Sequence, residues 1–275
     1  LQGTARDYAE SIHGVCATFD IELEEIPDWN CCGATAAHSV DHRASIALAA
    51  RTLNLAAKLP HQDMLVPCPM CFNRLKTSAW TLQGDHRQRY SIKLDKPLPQ
   101  IWDFADFFAT DQMLETTAKH VKKPLEGLKV VCYYGCMANR PPEITEAKNF
   151  EDPQALDRIV DNLGATAIGW PFKTDCCGAS QALSRLDIVT QLVGKLFDMA
   201  QRVGAQAFVV SCQMCQANLD MYQEKIQADW GKRFSLRVYY FTELIGLAND
   251  ARGVNRWLSR HITNPFPLLR ELGLG

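Results

Sequence analysis

Two copies of one cysteine arrangement constrain this chain more than any other feature. A Cys-Cys-Gly sequence at residues 31–33 is followed by Cys-x-x-Cys at residues 68–71, and both motifs recur at residues 176–178 and 212–215. Between the last cysteine of Cys-Cys-Gly and the first cysteine of Cys-x-x-Cys there are 35 residues in the first copy (33–67) and 34 in the second (178–211). Matched thiols at matched separations predict a duplicated metal-binding unit rather than cysteines scattered through a core.

The likeness extends from the cysteines to the surrounding pattern of helices and strands. Each Cys-Cys-Gly precedes a helical pattern, then a short apolar strand that ends at the Cys-x-x-Cys, then a strand that turns into a helix. The matched segments are residues 45–53 and 187–196, 64–66 and 208–210, and 101–106 and 238–243. Alternating strands and helices predict an α/β fold with two duplicated Rossmann-like halves, each with a largely parallel sheet.

The cysteines are predicted to lie near the carboxyl ends of these strands, where ligands bind to parallel sheets, and at the interface of the two halves. Helix N-termini at the same edge favour the thiolate form of cysteine. A polar segment ending at Pro124 is predicted to connect the two halves. The domains are therefore expected at residues 1–124 and 125–275, the second with a C-terminal tail.

The second half contains one cysteine with no counterpart in the first. A strand at residues 129–134 leads to Gly135 and Cys136, and 39 residues (137–175) separate Cys136 from the second Cys-Cys-Gly. A matching strand and cysteine would fall before Leu1. We therefore expect the native protein to extend upstream of Leu1 by at least that strand and that ligand.

Composition narrows the class of protein. A chain of 275 residues that is 47% hydrophobic can bury an ordinary core, so its eleven cysteines are not needed as disulfide staples, and a reducing compartment is expected. The formal net charge of −2 predicts no nucleic-acid partner. No apolar run approaches the roughly 18 residues of a transmembrane segment. The sequence predicts a soluble, cytoplasmic protein.

Several kinds of site use Cys-x-x-Cys, including redox dithiols, zinc sites and iron–sulfur clusters. Adjacent cysteines such as Cys31 and Cys32 cannot easily both point at one small tetrahedral ion. A polynuclear cluster can use both, and five thiolates in a half would suit a cluster with an iron open to substrate. Iron–sulfur ligation is the main interpretation, while zinc in at least one site and redox dithiols remain alternatives.

Two cysteines and two histidines lie outside the repeated motifs. Cys132 occurs in an apolar strand and, like Cys16, is expected to be a buried core thiol. His38 and His42 are spaced i, i+4 and could share a helix face as a proton donor or ligand. A solvated or capping role is the alternative.

The repeated motifs resemble the Cys-Cys-Gly domain signature, and two copies together resemble the catalytic B subunit of heterodisulfide reductase and its relatives in bacterial sulfur metabolism. The resemblance covers the whole chain. It implies two noncubane [4Fe-4S] clusters. The implied ligands of one cluster are Cys136, Cys176, Cys177, Cys212 and Cys215. Those of the other are Cys31, Cys32, Cys68 and Cys71, with a cysteine upstream of Leu1.

The same resemblance implies a reaction and a set of partners. The reaction is homolytic cleavage, or formation, of a disulfide or sulfane-sulfur substrate between the two clusters. Electrons would arrive from a ferredoxin-like C subunit and a flavin-containing A subunit, because this chain has neither a ferredoxin cysteine motif nor a convincing dinucleotide-binding loop. Lys173 and Arg140 are the nearest basic candidates to contact an anionic thiol or disulfide substrate.

Two other functions are compatible with the motifs. An iron–sulfur subunit that only transfers electrons, as in lactate- and glycolate-oxidising complexes, would retain the clusters without the sulfur chemistry. A zinc-stabilised scaffold subunit would have no redox function, and it would be colourless where a cluster protein is brown.

Overall fold

Helices and short strands alternate along the chain, as the sequence predicts. The computed structural model describes residues 3–34, 36–84, 89–95 and 97–275. The helices are α1 (Arg6–Thr18), α2 (Ala36–Val40), α3 (His42–Ala56), α4 (Pro69–Gln83), α5 (Phe104–Phe108), α6 (Asp111–His120), α7 (Pro142–Thr145), α8 (Ala155–Asn162), α9 (Leu186–Arg202), α10 (Gln213–Met221), α11 (Gln223–Trp230), α12 (Phe241–Ala248), α13 (Val254–Leu258) and α14 (Phe266–Glu271). The strands are β1 (Asp63–Val66), β2 (Gln100–Asp103), β3 (Lys129–Tyr133), β4 (Thr166–Ala167), β5 (Ala207–Val210) and β6 (Arg237–Tyr240).

The strands form two sheets, and every strand pair in the described residues is parallel. One sheet pairs β1 with β2, and the other has the order β4-β3-β5-β6. Val66 at the end of β1 pairs with Asp103 at the end of β2. Val210 at the end of β5 pairs with Tyr133 of β3 and with Tyr240 of β6. The carboxyl ends of the strands are therefore aligned at one edge of each sheet, and the predicted α/β class is confirmed.

The chain forms two compact units, each built from separate stretches of sequence. The larger unit contains residues 1–23, 108–135 and 151–275, and the smaller contains residues 24–107 and 136–150. The predicted boundary near Pro124 separates the two copies of the repeated sequence, whereas the compact units are defined by contacts within the fold. That boundary remains a prediction.

The larger unit has its core around the four-stranded sheet. Strand β5 is apolar and buried along its length, and β3 is apolar and buried after the exposed Lys129, as expected for parallel strands covered on both faces. Phe208 of β5 makes edge-to-face contacts with Phe197 of α9, at a centroid distance of 5.2 Å, and with Trp170, at 5.7 Å. These aromatic contacts hold α9 and the loop before the second Cys-Cys-Gly against the sheet.

Trp257 of α13 joins α1 to α12 in the same unit. Its side chain is 2% exposed. A Cβ atom added to Gly14 of α1 would lie 2.4 Å from the Trp257 ring, and one added to Gly246 of α12 would lie 2.5 Å from it. The two glycines therefore create the space that the indole fills, and the three helices pack at short distance because of them.

A buried group of charged side chains lies next to this helix junction. The Nε2 atom of His261 is 2.8 Å from a carboxylate oxygen of Glu243 and 3.8 Å from one of Asp7. Burial alone would lower the pKa of His261, but the charge and hydrogen bond of Glu243, together with Asp220 and Asp7, raise it from 6.5 to about 9. The folded state therefore holds a proton on His261 that the unfolded chain releases at lower pH.

This proton makes stability depend on pH. The contribution of His261 is fully present below its unfolded pKa of 6.5 and is lost as the pH rises through about 9. A shift of this size corresponds to a loss on the order of 3 kcal/mol. We expect urea unfolding to show a decreasing free energy of unfolding of the larger unit from pH 6 to pH 9.5, and a shallower decrease in the His261→Gln variant.

The difference in pH dependence between wild type and His261→Gln isolates the effect of His261, because thiols that titrate in the same range are present in both proteins. His38→Gln, at an exposed histidine of the smaller unit, is the matched control and should leave the slope unchanged. Identical slopes for wild type and His261→Gln would contradict the assignment.

The smaller unit packs α3 and α4 against the two-stranded sheet. Its main hydrophobic cluster consists of Ala49, Leu53, Val66, Phe72, Leu75 and Ile101. Both helices alternate apolar and polar residues at helical spacing, so that one face of each covers the sheet. This packing places the start of α4 at the carboxyl edge of β1.

No helix in the described residues has the length and apolar content needed to cross a membrane.

Candidate metal centres

Each Cys-x-x-Cys lies where a parallel strand turns into a helix. Cys68 is the N-cap of α4, with φ −106° and ψ 112°, and Cys212 is the N-cap of α10, with φ −107° and ψ 121°. Cys71 and Cys215 follow in the first turn of the same helices. The two copies adopt the same turn, which confirms the predicted position of this motif after a strand.

Each Cys-Cys-Gly depends on a glycine in the left-handed region. Gly33 and Gly178 both have φ of +77°. A Cβ atom at Gly33 would lie 2.5 Å from the Cβ of Ala37, and one at Gly178 would lie 3.1 Å from Leu192 Cδ1. The third residue of the motif is therefore required by both backbone and space, which explains why glycine follows the paired cysteines in both copies.

In the smaller unit, three thiols of the two motifs converge. The Sγ atoms of Cys32 and Cys71 are 3.1 Å apart, and Cys71 also has a hydrogen-bonding interaction with Cys68. The hydrogen bond from Cys71 lowers the pKa of Cys32 to about 7 despite its burial, and the same contact raises the pKa of Cys71. Cys31 is exposed. The unit therefore holds a cluster of thiols in which one is readily ionised.

The larger unit repeats the arrangement. The Sγ atoms of Cys177 and Cys215 are 3.6 Å apart, and Cys215 also interacts with Cys212. The hydrogen bond from Cys215 lowers the pKa of Cys177. Cys176 is exposed, and its Sγ accepts a hydrogen bond of 3.3 Å from the backbone N–H of Gly178.

Cys136 follows Gly135, whose added Cβ atom would lie 3.1 Å from Cys215 Sγ. A side chain at residue 135 would therefore crowd a cysteine of the Cys-x-x-Cys. Cys136 itself is half-buried and falls in the smaller unit by its contacts. Its predicted role as a ligand of the second cluster remains a prediction.

The converging thiols fit a soft metal centre. None of the eleven cysteines forms a disulfide, and the two sulfur–sulfur distances far exceed the bond of about 2.05 Å. Thiolates select zinc or iron–sulfur clusters among the metals common in proteins. Ligand sulfurs around a tetrahedral zinc ion would be roughly 3.8 Å apart, so spacing alone does not decide between an ion and a cluster.

Cys16 and Cys132 behave as the sequence predicts for core thiols. Both are buried, with exposures of 1% and 0%. Burial raises the pKa of Cys16 to about 12 and that of Cys132 well above its usual range. Neither thiol ionises readily, so neither is suited to bind metal or to react.

Lys173 occupies an interior position rather than an open one. Its ammonium lies 2.7 Å from a carboxylate oxygen of Asp152 and 2.9 Å from one of Asp157, and it donates to the carbonyl of Pro153 at 3.1 Å. All three N–H directions are used by these partners. An anionic substrate would have to compete with two carboxylates for this lysine. Arg140 is exposed, and its role as a substrate contact remains a prediction.

His38 and His42 do not share a helix, so the interpretation that they face one way is wrong. His38 belongs to α2, and Asp41 caps α3 by accepting a hydrogen bond of 3.0 Å from the backbone N–H of Ala44. His42 is the first residue of α3, and its Nδ1 is 3.0 Å from the hydroxyl of Tyr90. Both histidines are exposed, as expected for solvated positions.

Sequence reasoning missed the polar side chains that follow each Cys-x-x-Cys. Asn73 donates to the carbonyls of Met137 (3.0 Å) and Arg140 (2.8 Å). Asn218 donates to the carbonyl of Cys177 at 3.0 Å. For Asn218 the available signal was its position three residues after Cys215, on the same helix face, whereas Asn73 stands two residues after Cys71 and had no such signal.

Comparison with known proteins identifies the family. The cysteine-rich domain (CCG) matches residues 2–76 and residues 130–220, which together exceed half of the chain. The chain belongs to the CCG family. The two matched segments contain one copy each of the repeated motifs, so the duplication read from the sequence is a duplication of this domain.

Several relatives of this CCG protein are named as subunits of reductases. It is 28% identical to the 8-methylmenaquinol:fumarate reductase membrane anchor subunit of Wolinella succinogenes, over 90% of this chain and 88% of the relative. It is 24% identical to the B subunit of the ferredoxin:CoB-CoM heterodisulfide reductase of Methanosarcina mazei, over 83% and 79%. It is 25% identical to a protein of Archaeoglobus profundus named as similar to the heterodisulfide reductase B subunit, over 88% and 85%.

These similarities confirm the resemblance to the B subunit of heterodisulfide reductase and indicate a redox role for this CCG protein. The relatives named as reductase subunits also indicate that proteins of this kind work within multi-subunit complexes.

Proposed function

We propose that this CCG protein is the iron–sulfur catalytic subunit of a heterodisulfide reductase-like complex that cleaves or forms a disulfide or sulfane-sulfur bond. The observation that carries the proposal is the convergence of buried thiols at the same strand-to-helix turn in both copies of the domain. The similarity to relatives named as the heterodisulfide reductase B subunit, over about four fifths of the chain, supports it. A reducing, cytoplasmic location is part of this proposal, because cysteines that hold metal clusters must stay reduced.

The cysteines of each copy would hold one [4Fe-4S] cluster, of the noncubane type. The first would use Cys31, Cys32, Cys68 and Cys71. The second would use Cys136, Cys176, Cys177, Cys212 and Cys215. A bound cluster supplies one-electron transfer and an iron that can bind sulfur.

The chain's own residues prepare these sites in three ways. Hydrogen bonds from Cys71 and Cys215 lower the pKa of Cys32 and Cys177 and so favour thiolates there. The left-handed glycines at residues 33 and 178 let the paired cysteines turn without a clashing side chain. The buried positions of Cys32 and Cys177 limit access of water to the metal side of each site. Two one-electron sites suit the cleavage of a two-electron bond, which gives the duplication a chemical reason.

The partners proposed are a ferredoxin-like C subunit and a flavin-containing A subunit. Cleavage of the sulfur bond consumes electrons, and partner subunits would supply them because this chain has no ferredoxin motif or dinucleotide-binding motif of its own. The substrate class is a small thiol or disulfide.

Metal content tests the proposal directly. In full-length protein purified without oxygen, we expect about eight irons and eight acid-labile sulfides per chain, because each copy would hold four of each. Iron, sulfide and zinc are measured on the same sample. Zinc in place of iron at both sites would contradict the redox function, and four irons with one zinc would restrict it to one site.

The similarity to the fumarate reductase membrane anchor subunit favours a second candidate, an iron–sulfur subunit that only passes electrons to a partner enzyme. The two candidates differ in sulfur chemistry. With reduced methyl viologen as donor and the coenzyme M–coenzyme B heterodisulfide as probe, a catalytic subunit releases two thiols per two electrons. Cluster reduction and reoxidation by a partner, without thiol release, would favour electron transfer.

A further inference from the structure

The position three residues after each Cys-x-x-Cys differs between the two copies of the domain. In α4 this position is Arg74, and in α10 it is Asn218. Residues three apart on a helix lie on the same face, so each side chain projects from the face that carries the last cysteine of its motif. The matched position therefore carries a cation in the smaller unit and a neutral amide in the larger unit.

Asn218 is part of the lining of the second site. It is 2% exposed, and its Nδ2 atom donates to the carbonyl of Cys177 at 3.0 Å and lies 3.7 Å from the Sγ of the same residue. The amide offers a weak hydrogen bond to the sulfur and no net charge.

Arg74 is placed differently. Its Nη2 atom donates to Asn73 Oδ1 at 2.7 Å, and Asn73 is itself held by two backbone carbonyls of residues 137 and 140. Its Nε atom is buried and has no hydrogen-bond partner among the described residues. The guanidinium is therefore oriented by an amide that cannot move freely.

The charge of Arg74 is not neutralised by a carboxylate within the described residues. It interacts electrostatically with Cys32 of the first Cys-Cys-Gly, and desolvation lowers its pKa. A half-buried cation without an ion-pair partner is costly unless a negative group lies beside it. A set of thiolates that binds iron and sulfide, and becomes more negative on reduction, would be such a group.

We propose that Arg74 makes the two sites unequal, so that the cluster held by Cys31, Cys32, Cys68 and Cys71 is reduced at a higher potential than the cluster in the larger unit. This inference rests on the proposed function, because it assumes a cluster at each site. The physical cause is that a nearby positive charge stabilises the added electron, whereas the Asn218 amide contributes only a hydrogen bond. One electron is then held preferentially at the first site.

A redox titration of the full-length protein with both clusters, followed by electron paramagnetic resonance, tests this inference. Wild type should show two midpoint potentials. Arg74→Gln should make reduction of the higher-potential cluster about tenfold less favourable, which lowers its midpoint potential by about 59 mV for a one-electron step. The lower potential should not move. Arg74→Lys, which keeps the charge, should retain most of the separation between the two potentials.

Two further variants assign the two signals to their sites and do not depend on whether Arg74→Gln folds. Cys32→Ser should abolish the higher-potential signal, and Cys177→Ser the lower one. The inference is overturned if both clusters are present but have one potential, if the higher potential survives Cys32→Ser, or if Arg74→Gln leaves it unchanged. Protein without iron and sulfide would instead overturn the proposed function, and this inference with it.

Discussion

Replacement of Cys177 by serine is expected to remove about half of the iron and acid-labile sulfide from the protein and to abolish thiol release. Cys177 is buried, lies 3.6 Å from Cys215 through the two sulfurs, and has its pKa lowered by that contact. Serine keeps the size of the side chain but has an oxygen that is a poor ligand for iron–sulfur clusters. Four irons should remain, held by the first copy of the domain.

Cys16→Ala is the matched control for this experiment. Cys16 is as buried as Cys177 but lies outside the repeated motifs, and burial keeps its thiol protonated. We expect its iron content and thiol release to match the wild type. Metal analysis and thiol quantification on both variants give the comparison, and full iron in Cys177→Ser would remove this residue from the proposed ligands.

Trp257→Ala is expected to cost more stability than any surface change, about 3–5 kcal/mol, because a large buried side chain leaves a cavity among α1, α12 and α13. The reverse change, Gly246→Ala, forces a Cβ to within 2.5 Å of the indole and should cost about 1–3 kcal/mol by overpacking. Both losses arise at the contact between Trp257 and Gly246: the first variant leaves a cavity there, and the second creates a clash. Urea unfolding monitored by circular dichroism measures each of them.

Trp80→Ala supplies the control for Trp257→Ala. Trp80 is 47% exposed on α4, so its removal takes away little buried surface and should cost no more than about 1 kcal/mol. A comparable loss for both tryptophans would mean that Trp257 does not join these helices. Iron content measured beside the unfolding curves would show whether the destabilised variants still assemble the metal centres.

The features that could be predicted from the sequence are those encoded by short-range pattern. The strands at residues 64–66 and 208–210 were placed correctly because each is a short apolar run that ends at a Cys-x-x-Cys. The turn glycines were recognisable because they recur with the paired cysteines. These signals need no knowledge of which distant segments meet.

Other features depend on contacts between distant segments, and the sequence gives no local sign of them. The closeness of Lys173 to Cys176 in sequence predicts a substrate contact, but its partners Asp152 and Asp157 stand 21 and 16 residues earlier in the chain. The buried group of Asp7, Glu243 and His261 joins three elements that no periodicity connects. The break between His38 and His42 had a visible cause in Asp41, a strong N-cap residue.

The packing of α1 also bears on how the protein is made. Ser11 and Thr242 lie 2.6 Å apart through their hydroxyl oxygens although 231 residues separate them in sequence. At about 5–20 residues per second, a ribosome needs roughly 12–46 s to produce that stretch. During this time the apolar face of α1, with Tyr8, Ile12 and Val15, has no α12 or α13 to cover it. Folding of the larger unit therefore finishes only after α12 and α13 have been made, and until then the apolar face of α1 is exposed to water or covered by chaperones.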